Sequence, residues 1–135
     1  MRHTIVVDGR EFIPGRITGI GRVLNGLLLA LSDWDQCKNI FLAVNSIDGV
    51  PQGLRENRRI RLTELSSSLI NSEKQLNLLG RYSGSLFISP YPKLPLLGTR
   101  SPAVNIIHDV FYLKQPNGSG QIKTLLSILR RFVGR

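Results

Sequence analysis

Of the 135 residues only one is cysteine, one tryptophan and one methionine, and two are histidine. Each shortage closes off a class of protein. A single thiol, Cys37, forms no internal disulfide, so nothing suggests a small secreted scaffold held by crosslinks, and a reduced cytoplasmic setting is compatible with it. Two histidines, His3 and His108, stand far apart and far from Cys37, so no metal-ligand spacing appears and no bound metal or other cofactor is expected. Aromatic residues make up 7% and are not interleaved with the basic ones, which removes the stacking platforms of single-strand nucleic-acid binders. No apolar run reaches the roughly 20 residues that a membrane span needs, and the apolar stretch before Asp8 is too short for the core of a secretion signal. Neither a Walker phosphate loop nor a GxSxG nucleophile turn is present.

Acidic residues are scarce too. Nine Asp and Glu face eighteen Lys and Arg, a net charge of +9, and the stretch from Lys114 to Arg135 has no acid at all. Such a balance favours anionic partners: nucleic acid, phospholipid headgroups or phosphorylated small molecules. The 41% of apolar residues is ordinary for a globular domain, and 135 residues suffice for one domain with a real core.

The apolar residues alternate between two patterns. Strands are expected at 4–8, a short buried one, at 40–44, a continuous apolar run of the kind covered on both faces, and at 86–89 and 103–108. Residues 59–63 alternate polar and apolar, as in a strand at a sheet edge. Between the first two strands Ile20, Val23, Leu24, Leu27, Leu28 and Leu31 repeat at helical spacing, with Thr18 placed to cap the helix. Gly26 inside that helix suggests a close helix–sheet contact. Residues 48–53 read as a loop, 65–80 supply only an irregular helix pattern, and the proline-rich stretch 90–102 excludes regular structure throughout. Ile122 to Val133 again step at helical intervals, with a basic opposite face. Strands separated by helices or long crossovers imply a mainly parallel sheet flanked by helices, an α/β fold.

In such a sheet, ligands bind beyond the carboxyl ends of the strands, where strand order reverses. With the order 3-2-1-4-5, the loops after strands one, four and five would line one crevice. The first holds Thr18-Gly19-Ile20-Gly21-Arg22, where glycine amides at a helix start suit a phosphate, or simply make a tight turn into the helix. The second is Ser89-Pro90-Tyr91, a binding loop or a plain turn; the third is His108-Asp109, a polar site or a structural histidine with a turn-capping aspartate.

Together these segments resemble the family-four (group 1) retaining glycosyltransferases of the GT-B fold. Ile5-Val6-Val7-Asp8-Gly9-Arg10 followed by Thr18-Gly19-Ile20-Gly21-Arg22 is similar to that family's opening, and Ser89-Pro90-Tyr91, Leu94-Pro95-Leu96 and Ile106-Ile107-His108-Asp109 to a second of its stretches. Residues 33–85 match only as a pattern of strands and helices. The resemblance implies that residues 1–135 form the Rossmann-like, acceptor-side N-terminal domain. The nucleotide-sugar donor would be held mostly by a C-terminal domain or partner subunit that this sequence lacks, so the chain alone would be inactive. It further implies that Gly19, Gly21 and Arg22 lie near the donor phosphates, that His108 is the catalytic-site contact to the transferred sugar, that Tyr91 and Asp109 face the acceptor, and that no metal is used. The acceptor would be a glycan or a lipid-linked sugar, at the inner face of the membrane or in the cytoplasm. Two other readings stand beside this one: a basic nucleic-acid-binding module, drawn from Arg55, Arg58, Arg59 and Arg61, and a membrane-surface module using the amphipathic stretch 120–134, which could also mediate self-association.

The resemblance makes one residue decisive. In an enzyme containing this domain, His108→Ala is expected to lower turnover at least tenfold, because contacts that strengthen in the transition state act on kcat. The melting temperature should move little. Paired measurements of kcat and Tm check this, and a large drop in Tm with normal specific activity would make His108 a structural residue.

Overall fold

The computed structural model describes residues 2–81, 85–91 and 94–106. They form five strands, β1 (His3–Asp8), β2 (Cys37–Val44), β3 (Ile60–Glu64), β4 (Ser85–Ser89) and β5 (Ala103–Asn105), and three helices, α1 (Gly19–Asp33), α2 (Gln52–Arg55) and α3 (Leu69–Leu79). Every strand pair is parallel, and the sheet order is β3-β2-β1-β4-β5. The architecture is the α/β, Rossmann-like one expected from the sequence, with β3 at an edge.

Alternation along the strands sorts the apolar residues into two cores. Ile5, Val7, Ile40, Leu42, Val44 and Ile88 point to the side covered by α1 and α2, where they meet Leu24, Leu28 and Leu54. Val6, Ala43 and Phe87 point the other way and meet Leu65 and Leu76 beside α3. Right-handed crossovers explain the division. The chain moves one way across the sheet from β1 to β2 and β3, and the opposite way from β3 to β4, so the connecting helices fall on opposite faces.

Thr18 caps α1, accepting a hydrogen bond from the Gly21 amide at 2.9 Å. The helix buries Leu24 and Leu28 and half-buries Leu27 and Leu31, but Val23, expected on the apolar face, is 51% exposed. Gly26 is exposed with open space where a side chain would stand, so a close contact with the sheet is not its reason. The glycines that are packed tightly, Gly9 and Gly49, lie elsewhere. A Cβ on Gly49 would stand 2.6 Å from the Phe12 carbonyl oxygen, against backbone that cannot yield.

Two segments differ from their sequence reading. The expected loop 48–53 contains a 3₁₀ turn, Ile47–Gly49, and the single-turn helix α2, which buries Leu54; one apolar anchor leaves no periodicity to detect. The irregular stretch 65–80 resolves into α3, capped by Ser68. Its pattern is weak because its buried face is largely polar: Ser72, Glu73 and Asn77 are inside with Leu76, whereas Leu69, Ile70 and Leu78 face solvent. The crossover from β4 to β5 forms no helix or strand among the described residues. It is held to α3 by Asn77, which donates to the carbonyls of Leu97 (3.2 Å) and Gly98 (2.9 Å). Residues 107 and 108 of the fifth strand, and the stretch Ile122 to Val133, lie outside the described residues. Among those described, no helix is long and apolar enough to cross a membrane.

Leu24→Ala should therefore cost about 2–5 kcal/mol of unfolding free energy, as for a fully buried leucine. Val23→Ala, one residue away, should cost less than about 1 kcal/mol. Urea denaturation of both variants measures the difference, and equal losses would place the helix in a different rotation on the sheet.

Candidate functional site

β1 and β4 lie side by side, with Val7 in register with Ile88, and the chain departs from them in opposite directions. Their carboxyl ends therefore flank the point where strand order reverses. The residues that follow each strand meet there.

Asp8 ends β1 on the side facing α3 and is 2% exposed. Its carboxylate takes two hydrogen bonds from the Arg10 side chain, Nε to Oδ1 at 3.0 Å and Nη2 to Oδ2 at 2.7 Å, and a third from the Arg10 amide at 3.2 Å. The other guanidinium nitrogen, Nη1, donates to Glu73 Oε1 at 2.9 Å, and Glu73 Oε2 accepts from the Leu96 amide at 2.8 Å. Hydrogen bonding to Asp8 raises the Arg10 pKa further still, against desolvation, which lowers it. Such a buried cluster contributes little net stability, but removing one partner strands charge in the interior and costs about 3–5 kcal/mol. Its effect is positional. It fixes the start of the β1 loop against α3 and pins the β4–β5 crossover at Leu96.

A second chain of hydrogen bonds runs alongside. The Gly21 amide donates to Thr18 Oγ1, the Thr18 hydroxyl donates to Glu11 Oε1, and the Tyr91 hydroxyl donates to Glu11 Oε2. The Tyr91 amide also donates to Ser89 Oγ at 3.3 Å. The loop after β4 is thereby tied to the amino end of α1. α1 has no acidic residue in its first turn, so Glu11 supplies the negative charge that favours a helix start.

Of the residues singled out in the sequence, the structure brings Gly21 and Tyr91 together through Thr18 and Glu11. Gly21 is buried and its amide is already bonded, and a Cβ there would lie 3.2 Å from Thr18 Oγ1. Gly19 is exposed, with nothing within 4 Å of where a side chain would stand. Arg22 is exposed beside it, as is Arg16 on the preceding turn. His108 and Asp109 lie outside the described residues. Sequence reading missed Glu11 and Glu73. Neither belongs to a spacing motif, and Glu73 meets Arg10 from 63 positions away.

The other chemical candidates recede. Burial pushes the Cys37 thiol up, with Arg59 opposing, so it is a protonated core residue rather than a nucleophile. The arginine cluster near β3 is partly engaged: Arg59 Nη1 donates to the carbonyls of Ser32 (2.9 Å) and Trp34 (3.1 Å). No protein-family model matches the chain, and neither curated proteins nor solved structures give a match.

Burial, and then the bond to Glu11, raise the Tyr91 hydroxyl well above its ordinary value near 10. A raised folded-state pKa means that the stabilisation is complete below the unfolded value and is lost as pH rises above about 10. Tyr91→Phe should therefore flatten the decline in stability above that pH and remove a component of the tyrosine absorbance titration that ionises well above pH 10. Denaturation midpoints at neutral and alkaline pH check this; an unchanged alkaline slope would show that the Tyr91–Glu11 bond does not persist in solution.

Proposed function

We propose that this domain is the acceptor-side wall of a retaining glycosyltransferase site, acting with a donor-binding domain on a nucleotide-sugar. The observation that carries the reading is the meeting of the β1 and β4 loops at the strand-order reversal, with the start of α1 between them. Parallel α/β sheets place ligands there.

The local chemistry suits the phosphate end of a donor. Gly19 lets backbone approach an anion closely, and the partial positive charge of α1 and the side chains of Arg16 and Arg22 oppose the charge on a departing diphosphate. Glu11 limits that site: its carboxylate already takes up part of the helix field, so anion binding at Gly19 is weak until a second domain closes over it. The resemblance gives His108 the contact to the transferred sugar and gives Tyr91 and Asp109 the acceptor side. The bond from the Tyr91 hydroxyl to Glu11 ties the loop after β4 to the amino end of α1, which sets where that loop stands beside an acceptor.

A lipid-linked acceptor, bringing the enzyme to the inner face of a membrane, is favoured over a free glycan by one further feature. Ile13 (44% exposed) and Ile17 (65% exposed) flank Arg16 on the turn that precedes α1. An apolar tip beside cations at the rim of the site matches an anionic lipid surface.

Two-dimensional amide NMR of the chain, titrated with millimolar UDP-, GDP- and ADP-sugars, tests the reading. The amides of Gly19 to Arg22 and of Tyr91 should shift with at least one donor, and Arg22→Glu should weaken the response severalfold. The isolated chain should transfer no sugar, because donor and acceptor are positioned only when both domains are present. Unshifted amides with every donor, together with salt-dependent binding of an oligonucleotide, would replace this reading by the nucleic-acid one.

A further inference from the structure

A cavity of about 520 Å³ opens at the opposite edge of the sheet, among the amino ends of β1, β4 and β5. It is separated from the carboxyl-end site by the length of β1, roughly 16 Å at 3.3 Å per residue. Its volume lies in the range of small-molecule sites, about 300–1,000 Å³. Nothing in the proposed transfer reaction uses it.

The wall has an apolar part and a charged part. Leu86, half-buried, contributes aliphatic surface on the side of the sheet that carries α1, above its buried register partner Ile5. The connections that form α1 and α2 run over the β1-β2-β3 half of the sheet, and among the described residues no helix lies over the β1–β4 seam on this face. Trp34, the residue that ends α1, adds a ring that is 43% exposed, stacked on His3 with centroids 6.2 Å apart and planes 12° apart. The Arg59 bond to the Trp34 carbonyl and the His3 stack hold the indole in place without covering it.

The charged part is Arg81 and Arg100, both exposed, and no carboxylate lines the cavity among the described residues. Arg81 is oriented by Asn77 Oδ1, which accepts from Nε (3.2 Å) and Nη2 (3.0 Å) and leaves Nη1 directed elsewhere. Arg100 has no hydrogen bond or ion pair among the described residues. Two guanidinium groups lining one cavity, with no carboxylate beside them among the described residues, favour an anion there, and guanidinium suits the planar or tetrahedral oxygens of carboxylate, sulfonate and phosphate.

We propose that this cavity binds a small aromatic anion, its ring system against Trp34 and Leu86 and its anionic group between Arg81 and Arg100. The site is independent of the sugar-transfer reading, being built from different residues at the other edge of the sheet.

Trp34 is the only tryptophan of the chain, so its emission reports on this cavity alone. Anilinonaphthalene sulfonate, an aromatic anion that accepts energy from tryptophan, and N-phenylnaphthylamine, its analogue without the sulfonate, are titrated against the full chain. The sulfonate should give saturable, single-site energy transfer from Trp34 and bind about tenfold more tightly than the neutral analogue, the factor expected of one charge-assisted contact. Arg100→Glu, a change at an exposed side chain, should weaken sulfonate binding about tenfold or more and leave the neutral probe within twofold. Arg81→Gln should act in the same direction, and unchanged circular dichroism confirms that both variants fold. Equal affinity for the two probes, no saturable transfer, or an Arg100→Glu variant that binds the sulfonate normally would each overturn the proposal.

Discussion

Arg10 holds two buried carboxylates that reach it from separate parts of the chain, Asp8 at the end of β1 and Glu73 in the middle of α3. Asp8 lies on the α3 side of the sheet because of strand alternation, and Glu73 is on the inner face of its helix because Leu76, one turn on, is buried in the same direction. Two buried anions so close together are tolerable only with a cation between them. The guanidinium fits because its planar fork meets one carboxylate with two donors and the other with a third. Glu73 then has one oxygen left, which fixes the Leu96 amide. From this ion cluster follow the departure of the β1 loop, the seating of α3 and the course of the β4–β5 crossover.

That arrangement gives the carboxyl edge of the sheet its character. The loops after β1 and β4 leave from a pinned base, and the Tyr91–Glu11–Thr18–Gly21 chain extends the constraint to the first turn of α1. A site for a charged ligand benefits from such preorganisation, since donors already in place need no reordering when the ligand arrives. The opposite edge is built differently. There a stacked ring pair, aliphatic strand residues and two arginines line an open cavity, with no carboxylate network among the described residues.

The strands were legible where the sheet covers both faces. Ile40 to Val44 and Leu86 to Ser89 are short continuous apolar runs, and burial on two sides demands that pattern whatever lies next to them. α1 was legible from its spacing and from Thr18, although Val23 shows that a periodic apolar residue can still face solvent. α3 was not, because its inner face is occupied by Ser72, Glu73 and Asn77, whose partners lie far along the chain. A periodicity argument counts apolar residues, and a helix that packs through hydrogen bonds escapes it.

For function the division is similar. The sequence by itself determined the α/β class, the parallel sheet and the glycine-bearing turn into α1, since each follows from local patterns of burial and backbone conformation. It determined the basic character as well, which is a matter of composition. Only the tertiary structure decided that Glu11 sits at the α1 terminus between Thr18 and Tyr91, that Arg10 bridges Asp8 and Glu73, and that Arg81 and Arg100 share a cavity with Trp34. The physical reason is one of range. Burial and helix capping act between near neighbours and leave their mark on spacing. Charge pairing and cavity formation join residues that the fold alone brings together, and no rule of spacing encodes them.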